Sequence, residues 1–266
     1  MAALPRPTQR RVVALGSRLR PCRNVITLGV KPNFDDYARE DQERIRQAPR
    51  IYYPSAFYAD LLDAVGKPTF PSYHTYKSAQ DKIRQSALFK WLGLPHPETR
   101  VYYGRRWQEK IPRDFRFPLI AKIPRGSALG RGVFLIHDQG QLEQYHQLSD
   151  IAYIQCYMPA ARDLRVVIIG GRAVHAYWRV GPPGEFRNNL SRGGRIELGN
   201  IPQAAVDLAL AAARQCGWDD VGLDILPHEG RYYLLEANMN YGREGFRAAG
   251  IDYHQLLEAM IDQGKI

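Results

Sequence analysis

The chain has 266 residues, of which 45% are hydrophobic and 24% charged, and a formal net charge of +10. This balance excludes a wholly disordered chain and suits one large domain or two small ones, with a core that needs no disulfide or metal staple. No apolar run approaches the ~18 residues of a membrane span, and the start Met-Ala-Ala-Leu-Pro-Arg-Pro lacks an apolar secretory stretch. The three widely spaced cysteines, Cys22, Cys156 and Cys216, fit reduced thiols, so a cytoplasmic setting is expected. Six arginines and no acid fall within residues 1–24. One reading is an arm that touches nucleic acid or another polyanion; the other, which composition favours, is a solvated basic tail.

In chain order, residues 25–30 read as a short strand, 35–48 as a polar helix, 51–53 as a second strand and 57–65 as an amphipathic helix ended by Gly66 and Pro68. This is a small α/β unit with a boundary near 71–76. The elements then lengthen. Residues 78–92 read as one helix stopped by Gly93, 99–103 and 117–122 as strands, and 125–132 as a glycine-rich loop. A strand over 133–136, a helix over 139–148 and a strand over 152–155 follow. Residues 164–169 and 173–179 form a hairpin across Gly170-Gly171, and a polar loop covers 180–194. An alanine-rich helix spans 202–216, a second hairpin joins 221–226 to 232–236, and a terminal helix covers 254–261. The order of elements gives an α/β or α+β fold with several antiparallel hairpins.

Three constellations carry chemistry. The loop after Lys122 is too incomplete for a Walker A or dinucleotide fingerprint, yet a glycine-rich loop lets backbone N–H groups approach phosphate oxygens beside a compact lysine charge. An ordinary hairpin loop explains the same residues. The second constellation is stronger. Glu236 and Asn238, two apart, share a strand face, and Asp224 can lie opposite them across the last hairpin, among apolar neighbours. Two carboxylates and an amide oxygen make a hard oxygen site suited to magnesium or manganese. Third, Arg165 at a strand start and Arg187, Asn188 and Asn189 in the polar loop supply the arginines and amides that a triphosphate beside such a metal site needs.

With these motifs in place the chain resembles the ATP-grasp superfamily, and within it the RimK-like carboxylate–amine ligases. The resemblance covers about residues 76–261. It rests on Asp81-Lys-Ile-Arg84, Leu119-Ile-Ala-Lys122, Gly126-Ser127 with Gly130-Arg-Gly132, Tyr153-Ile-Gln-Cys-Tyr157 and Asp163-Leu-Arg165 with its strand to Gly171. It continues through Gly184-Glu-Phe-Arg-Asn-Asn189, Ser191-Arg-Gly-Gly194, Gly222-Leu-Asp224 and Leu235-Glu-Ala-Asn238.

The resemblance implies an α+β fold in which two lobes grip ATP, preceded by a short α/β region. In these terms residues 1–24 are the tail, 25–75 a shortened preceding region and 76–266 the ATP-grasp domain. Lys82 and Lys122 would meet the α- and β-phosphates, and the loop with Gly126, Ser127, Gly130 and Gly132 would fold over them. Backbone groups of Gln155, Cys156, Tyr157 and Met158 would hold the adenine edge, Asp163 the ribose side, and Asn188 would lie beside the phosphates. Arg165, Arg187 and Asn189 would face the γ-phosphate as catalytic groups, and Asp224, Glu236 and Asn238 would bind the magnesium pair. The implied reaction activates a carboxylate as an acyl-phosphate for attack by an amine of an amino acid or peptide. A kinase acting on a hydroxyl, or a non-catalytic ATP- or polyanion-binding protein, is the alternative; a second copy of the chain remains a candidate partner. The chain departs from the family pattern in several places. Cys156 stands where glutamate is usual in the hinge, the phosphate loop is one residue longer, and Tyr241 replaces a proline.

Overall fold

The computed structural model describes residues 11–104, 106–124, 132–188, 190 and 193–266. Three sheets follow one another along the chain. The first is parallel: β1 (Val12–Ala14), β2 (Val25–Thr27), β3 (Ile51–Tyr52) and β4 (Thr69–Phe70) lie in the order β2-β1-β3-β4. Parallel neighbours need crossovers, and α1 (Arg39–Gln47) and α2 (Ala56–Ala64) supply two of them. Val13, Leu15, Ile45, Ile51, Tyr58 and Leu62 make its core.

This corrects the reading of residues 1–24 as a tail. From Val12 the chain is folded, and β1 is an inner strand of the sheet. Leu19 and Cys22 are buried, and buried Asn24 donates to Glu258 O at 3.0 Å. Alternation over only three residues carries too little signal to be read among six arginines.

Residues 73–91 are two helices, where one was expected over 78–92. These are α3 (Tyr73–Ser78) and α4 (Lys82–Trp91). Asp81 breaks the run by capping α4, its carboxylate accepting from Arg84 N at 3.0 Å. Lys82 thereby opens a helix.

The second sheet is antiparallel, built from β5 (Thr99–Tyr102), β6 (Leu119–Lys122), β7 (Val133–Ile136) and β8 (Ala152–Cys156) in the order β5-β8-β6-β7. One face carries Leu119, Ala121 and Ile154 into a core with Ile111 of α5 (Ile111–Asp114) and with Leu142 and Tyr145 of α6 (Gln139–His146). Side chains alternate, so Ile120, Lys122, Tyr153 and Gln155 share the other face, paired 120 with 155 and 122 with 153.

The third sheet holds β9 (Arg162–Ile169), β10 (Arg172–Val180), β11 (Arg195–Glu197), β12 (Asp220–His228) and β13 (Arg231–Asn238), in the order β11-β10-β9-β12-β13 and antiparallel throughout. Leu164, Val166, Ile168, Leu223 and Ile225 pack beneath α7 (Gln203–Cys216), whose small Ala205, Ala209, Ala212 and Ala213 permit close approach. Burying each such branched side chain contributes roughly 1.5–3 kcal/mol, and a one-residue slip would turn the whole set to the opposite face. That energy fixes the register and so fixes which residues face away. On that far side Val167 and Ile169 are covered by α8 (Glu244–Ala248), α9 (Tyr253–Asp262) and residues of the first sheet. Asp163, Arg165, Tyr177, Arg179 and Asp224 share the same side.

Candidate active site

The polar face of the second sheet and the charged face of the third meet across a cleft of about 740 Å³. Each anticipated site residue within the described part of the chain lines it: Lys82, Lys122, Gly132, Gln155, Cys156, Tyr157, Met158, Asp163, Arg165, Arg187, Asn188, Asp224, Glu236 and Asn238. Gly126, Ser127, Gly130 and Asn189 lie outside the described residues.

Register places the charges. Asp224 pairs with Arg165 on β9 and with Glu236 on β13, so the three form a row across the sheet. Arg165 grips Asp224 through Nε and through Nη2 at 2.9 Å, and Arg179 Nη2 adds a third bond at 2.8 Å. Arg179 Nε also donates to Asp163 at 2.6 Å. Burial pushes Asp224 upward, but the two guanidiniums outweigh it and hold the carboxylate below its ordinary range. Asp163, with burial and the Asp224 charge against it and Arg179 in its favour, lies above that range. Both oxygens of the expected metal ligand Asp224 are thus engaged by arginine, and one oxygen of Asp163, expected at the ribose, is committed to Arg179.

Glu236 and Asn238 are more open. Asn238 Nδ2 donates to Glu236 Oε1 at 2.8 Å, which leaves the Asn238 amide oxygen and the second Glu236 oxygen for a cation. Lys82 Nζ stands 3.9 Å from Glu236 Oε2. Both ligands are held by Gln85 of α4, which pairs with the residue between them: its Nε2 donates to Ala237 O at 2.8 Å and its Oε1 accepts from Ala237 N at 2.9 Å. The oxygen donors fit magnesium or manganese, and soft metals are disfavoured. Among the described residues no group of three or more His, Cys, Asp or Glu could hold a metal.

Lys122 is buried, and no carboxylate among the described residues pairs with it. Its ammonium lies over the Tyr153 ring at 5.7 Å. Burial and Lys82 push it down to about 8, against the pull of Glu236 and Asp224. A buried cation of this kind suits an anionic ligand.

The hinge after β8 closes one end. Cys156 N–H donates to Glu98 O at 2.8 Å, so that amide is engaged within the protein. In the polar loop, Arg187 pairs with Glu185 at 2.7 Å, and buried Asn188 accepts from Gly181 N at 2.9 Å through Oδ1. The sequence reading missed Arg179 and Gln85. A count outward from the Gly170-Gly171 turn, where Arg172 pairs with Ile169, sets Arg179 against Arg162. A register shift between Ala173 and His175 sets it instead against Asp163. For Gln85 the one signal was a polar residue amid the apolar positions of its helix.

The same architecture occurs in solved structures. An ATP-grasp ligase, PsnB, with Mg and ADP matches with a TM-score of 0.70 at 19% identity over 95% of this chain and 98% of that one. D-alanine–D-alanine ligase from Bacillus anthracis, complexed with ATP, matches with a TM-score of 0.66 at 16% identity over 95% and 96%. The fold is therefore that of the ATP-grasp ligases. A model of the RimK-like ATP-grasp domain matches residues 79–261, and the chain belongs to that family. It is 32% identical, over 83% of its length, to a probable alpha-L-glutamate ligase of Parasynechococcus marenigrum, of which it spans about half (50%). It is 30% identical to a ribosomal protein bS6–L-glutamate ligase of Escherichia fergusonii, over 77% of this chain and 72% of that one. No helix among the described residues is long and apolar enough to cross a membrane.

Proposed function

We propose that this chain joins a carboxylate to an amine at the expense of ATP, releasing ADP and phosphate, with an amino acid or peptide among its substrates. The observation that carries the reading is the buried Lys122 ammonium, without a carboxylate partner among the described residues, in one cleft with Asp224, Glu236 and Asn238. A carboxylate is a poor electrophile; transfer of the γ-phosphoryl group to it supplies a leaving group, and the amine then displaces phosphate. Lys122 and Lys82 would bind phosphates that stay with ADP. Glu236 and Asn238, with Asp224, would hold magnesium or manganese, which when bound neutralises charge on the phosphate oxygens. Arg165, anchored on Asp224, and Arg187 would stabilise charge on the moving phosphoryl group. Residues 155–158 would hold the adenine.

The test is an ADP-release screen with amino acids, short peptides and small dicarboxylates, with hydroxylamine as a trap. Hydroxamate formation with wild type supports the acyl-phosphate route. ADP release without hydroxamate, driven by hydroxyl compounds, would make this a kinase. Glu236→Gln keeps the Asn238 contact but removes the charge. It should cut turnover by roughly 10²–10³ and weaken manganese binding, with the thermal midpoint unchanged.

A further inference from the structure

Arg18 is one of the six arginines of the supposed tail, and it does not face solvent as a tail arginine would. It crosses from the turn after β1 to the third sheet. Nη1 donates to Asp220 Oδ2 at 3.1 Å, and Nη2 donates to Met239 O at 3.0 Å and to Asn240 Oδ1 at 3.1 Å. The guanidinium lies 5.1 Å from the Tyr53 ring centroid and 5.5 Å from that of Tyr241. Asp220 is fully buried, and its other oxygen accepts from the Tyr241 hydroxyl at 2.7 Å. From the cleft side, Arg165 Nη1 donates to Tyr241 O at 2.9 Å. The segment 239–241, which continues directly from Asn238, is therefore held between two arginines.

This clamp determines the chemistry of one wall. A guanidinium has donors only, so the Asn240 atom that faces it is the amide oxygen. The amide nitrogen, with two N–H donors, is turned away from Arg18, and no acceptor among the described residues takes it. Asn240 is exposed and borders the cleft. At this corner Arg165 is already committed to Asp224 and Tyr241 O, and Arg179 to Asp163 and Asp224. The amide nitrogen can only donate, so it takes an acceptor, and the acceptor that the substrates of a carboxylate–amine ligase would bring to this cleft is a carboxylate oxygen.

Resting on the ligase reading above, we propose that Arg18 and Asn240 together recognise a substrate carboxylate. Arg18 is the positioning residue that sets the amide, and Asn240 donates to the carboxylate. The experiment is calorimetric titration of the protein saturated with magnesium and AMPPNP against the proteinogenic amino acids, L-glutamate first, and their dipeptides, each beside its matched carboxamide. Wild type should bind at least one carboxylate and bind its carboxamide at least about tenfold more weakly. Asn240→Asp strengthens the link to Arg18 but removes the donor. It should lose a factor of roughly ten to a hundred for the carboxylate, with AMPPNP affinity changed by less than about twofold. Arg18→Ala should lose a similar factor, Arg18→Lys should recover part of it, and Arg18→Ala/Asn240→Ala should be no worse than Asn240→Ala, because both changes remove one interaction. Wild-type carboxylate binding by Asn240→Asp, or simple addition of the two alanine effects, overturns the proposal. So does wild type that binds AMPPNP but no carboxylate of the panel, which leaves the nucleotide site standing. Failure to bind AMPPNP overturns the ligase reading itself. Should Arg18→Ala not fold, Asn240→Asp decides alone.

Discussion

Lys122 should give the cleft a characteristic pH response. Its ammonium is pushed down to about 8 by burial and by Lys82, although Glu236 and Asp224 pull the other way. Phosphate oxygens beside it would favour the charged form and raise that value. AMPPNP binding is therefore expected to take up protons between about pH 8 and 10, and affinity to fall as pH rises through that window. Calorimetry in two buffers of different ionisation enthalpy measures the uptake, and Lys122→Met should abolish it and weaken binding by about tenfold or more. Wild type without uptake would put the phosphates elsewhere. The same group acts on stability with a definite sign. Its folded value lies below the ordinary 10.5, so between about 8 and 10.5 the unfolded chain holds more protons and the ligand-free protein gains stability as pH rises. Of the site residues, the trio Asp224, Glu236 and Asn238 was legible because period-two spacing and one short turn suffice to bring it together. That both Asp224 oxygens take arginine bonds was not, because it depends on three strands at once.

Among the elements, β12 is tightly constrained at Gly222. A side chain at Gly222 would place its Cβ 2.4 Å from Tyr241 Cβ and 3.0 Å from Arg165 Cδ. Glycine lets both pass over the strand, so the Arg165 to Tyr241 O bond exists because position 222 has no side chain. Gly222→Ala is expected to cost about 1–3 kcal/mol in urea unfolding, the range for overpacking, and to lower ADP release through displacement of Arg165. A variant with wild-type stability and turnover would show that the segment after Asn238 yields freely. Both hairpins of the third sheet were readable from alternation and turn glycines. The bulge in β10 was not, because the register shift between Ala173 and His175 leaves no mark in the sequence of the strand itself. The break between α3 and α4 was visible in principle at Asp81, a good capping residue, but the apolar spacing of 79, 83 and 87 runs smoothly across it.

At the scale of the whole molecule, the site face of the third sheet is shared. One end borders the cleft, and the other is covered by the first sheet through Tyr52, Phe70, Val167 and Ile169. A chain lacking residues 1–24 loses the inner strand β1 and the buried Leu19 and Cys22, and is expected to aggregate instead of giving a cooperative thermal transition. Unchanged melting would restore the tail reading. The lobes could be anticipated because the motifs run in order over 76–261. The docking of the first sheet could not, because its contacts join residues far apart in the chain, more than two hundred positions for Arg18 with Asp220 and Asn240. That separation has a kinetic consequence. Closing so long a loop is entropically costly, so local hairpins should form before it closes. The Arg18 bridge then belongs to the last stage of folding and is absent from the transition state. In stopped-flow experiments Arg18→Lys should accelerate unfolding by nearly its full loss of stability and leave the refolding rate within about twofold, a φ-value near zero. Slowed refolding would instead make the first sheet an early template on which the rest of the chain assembles.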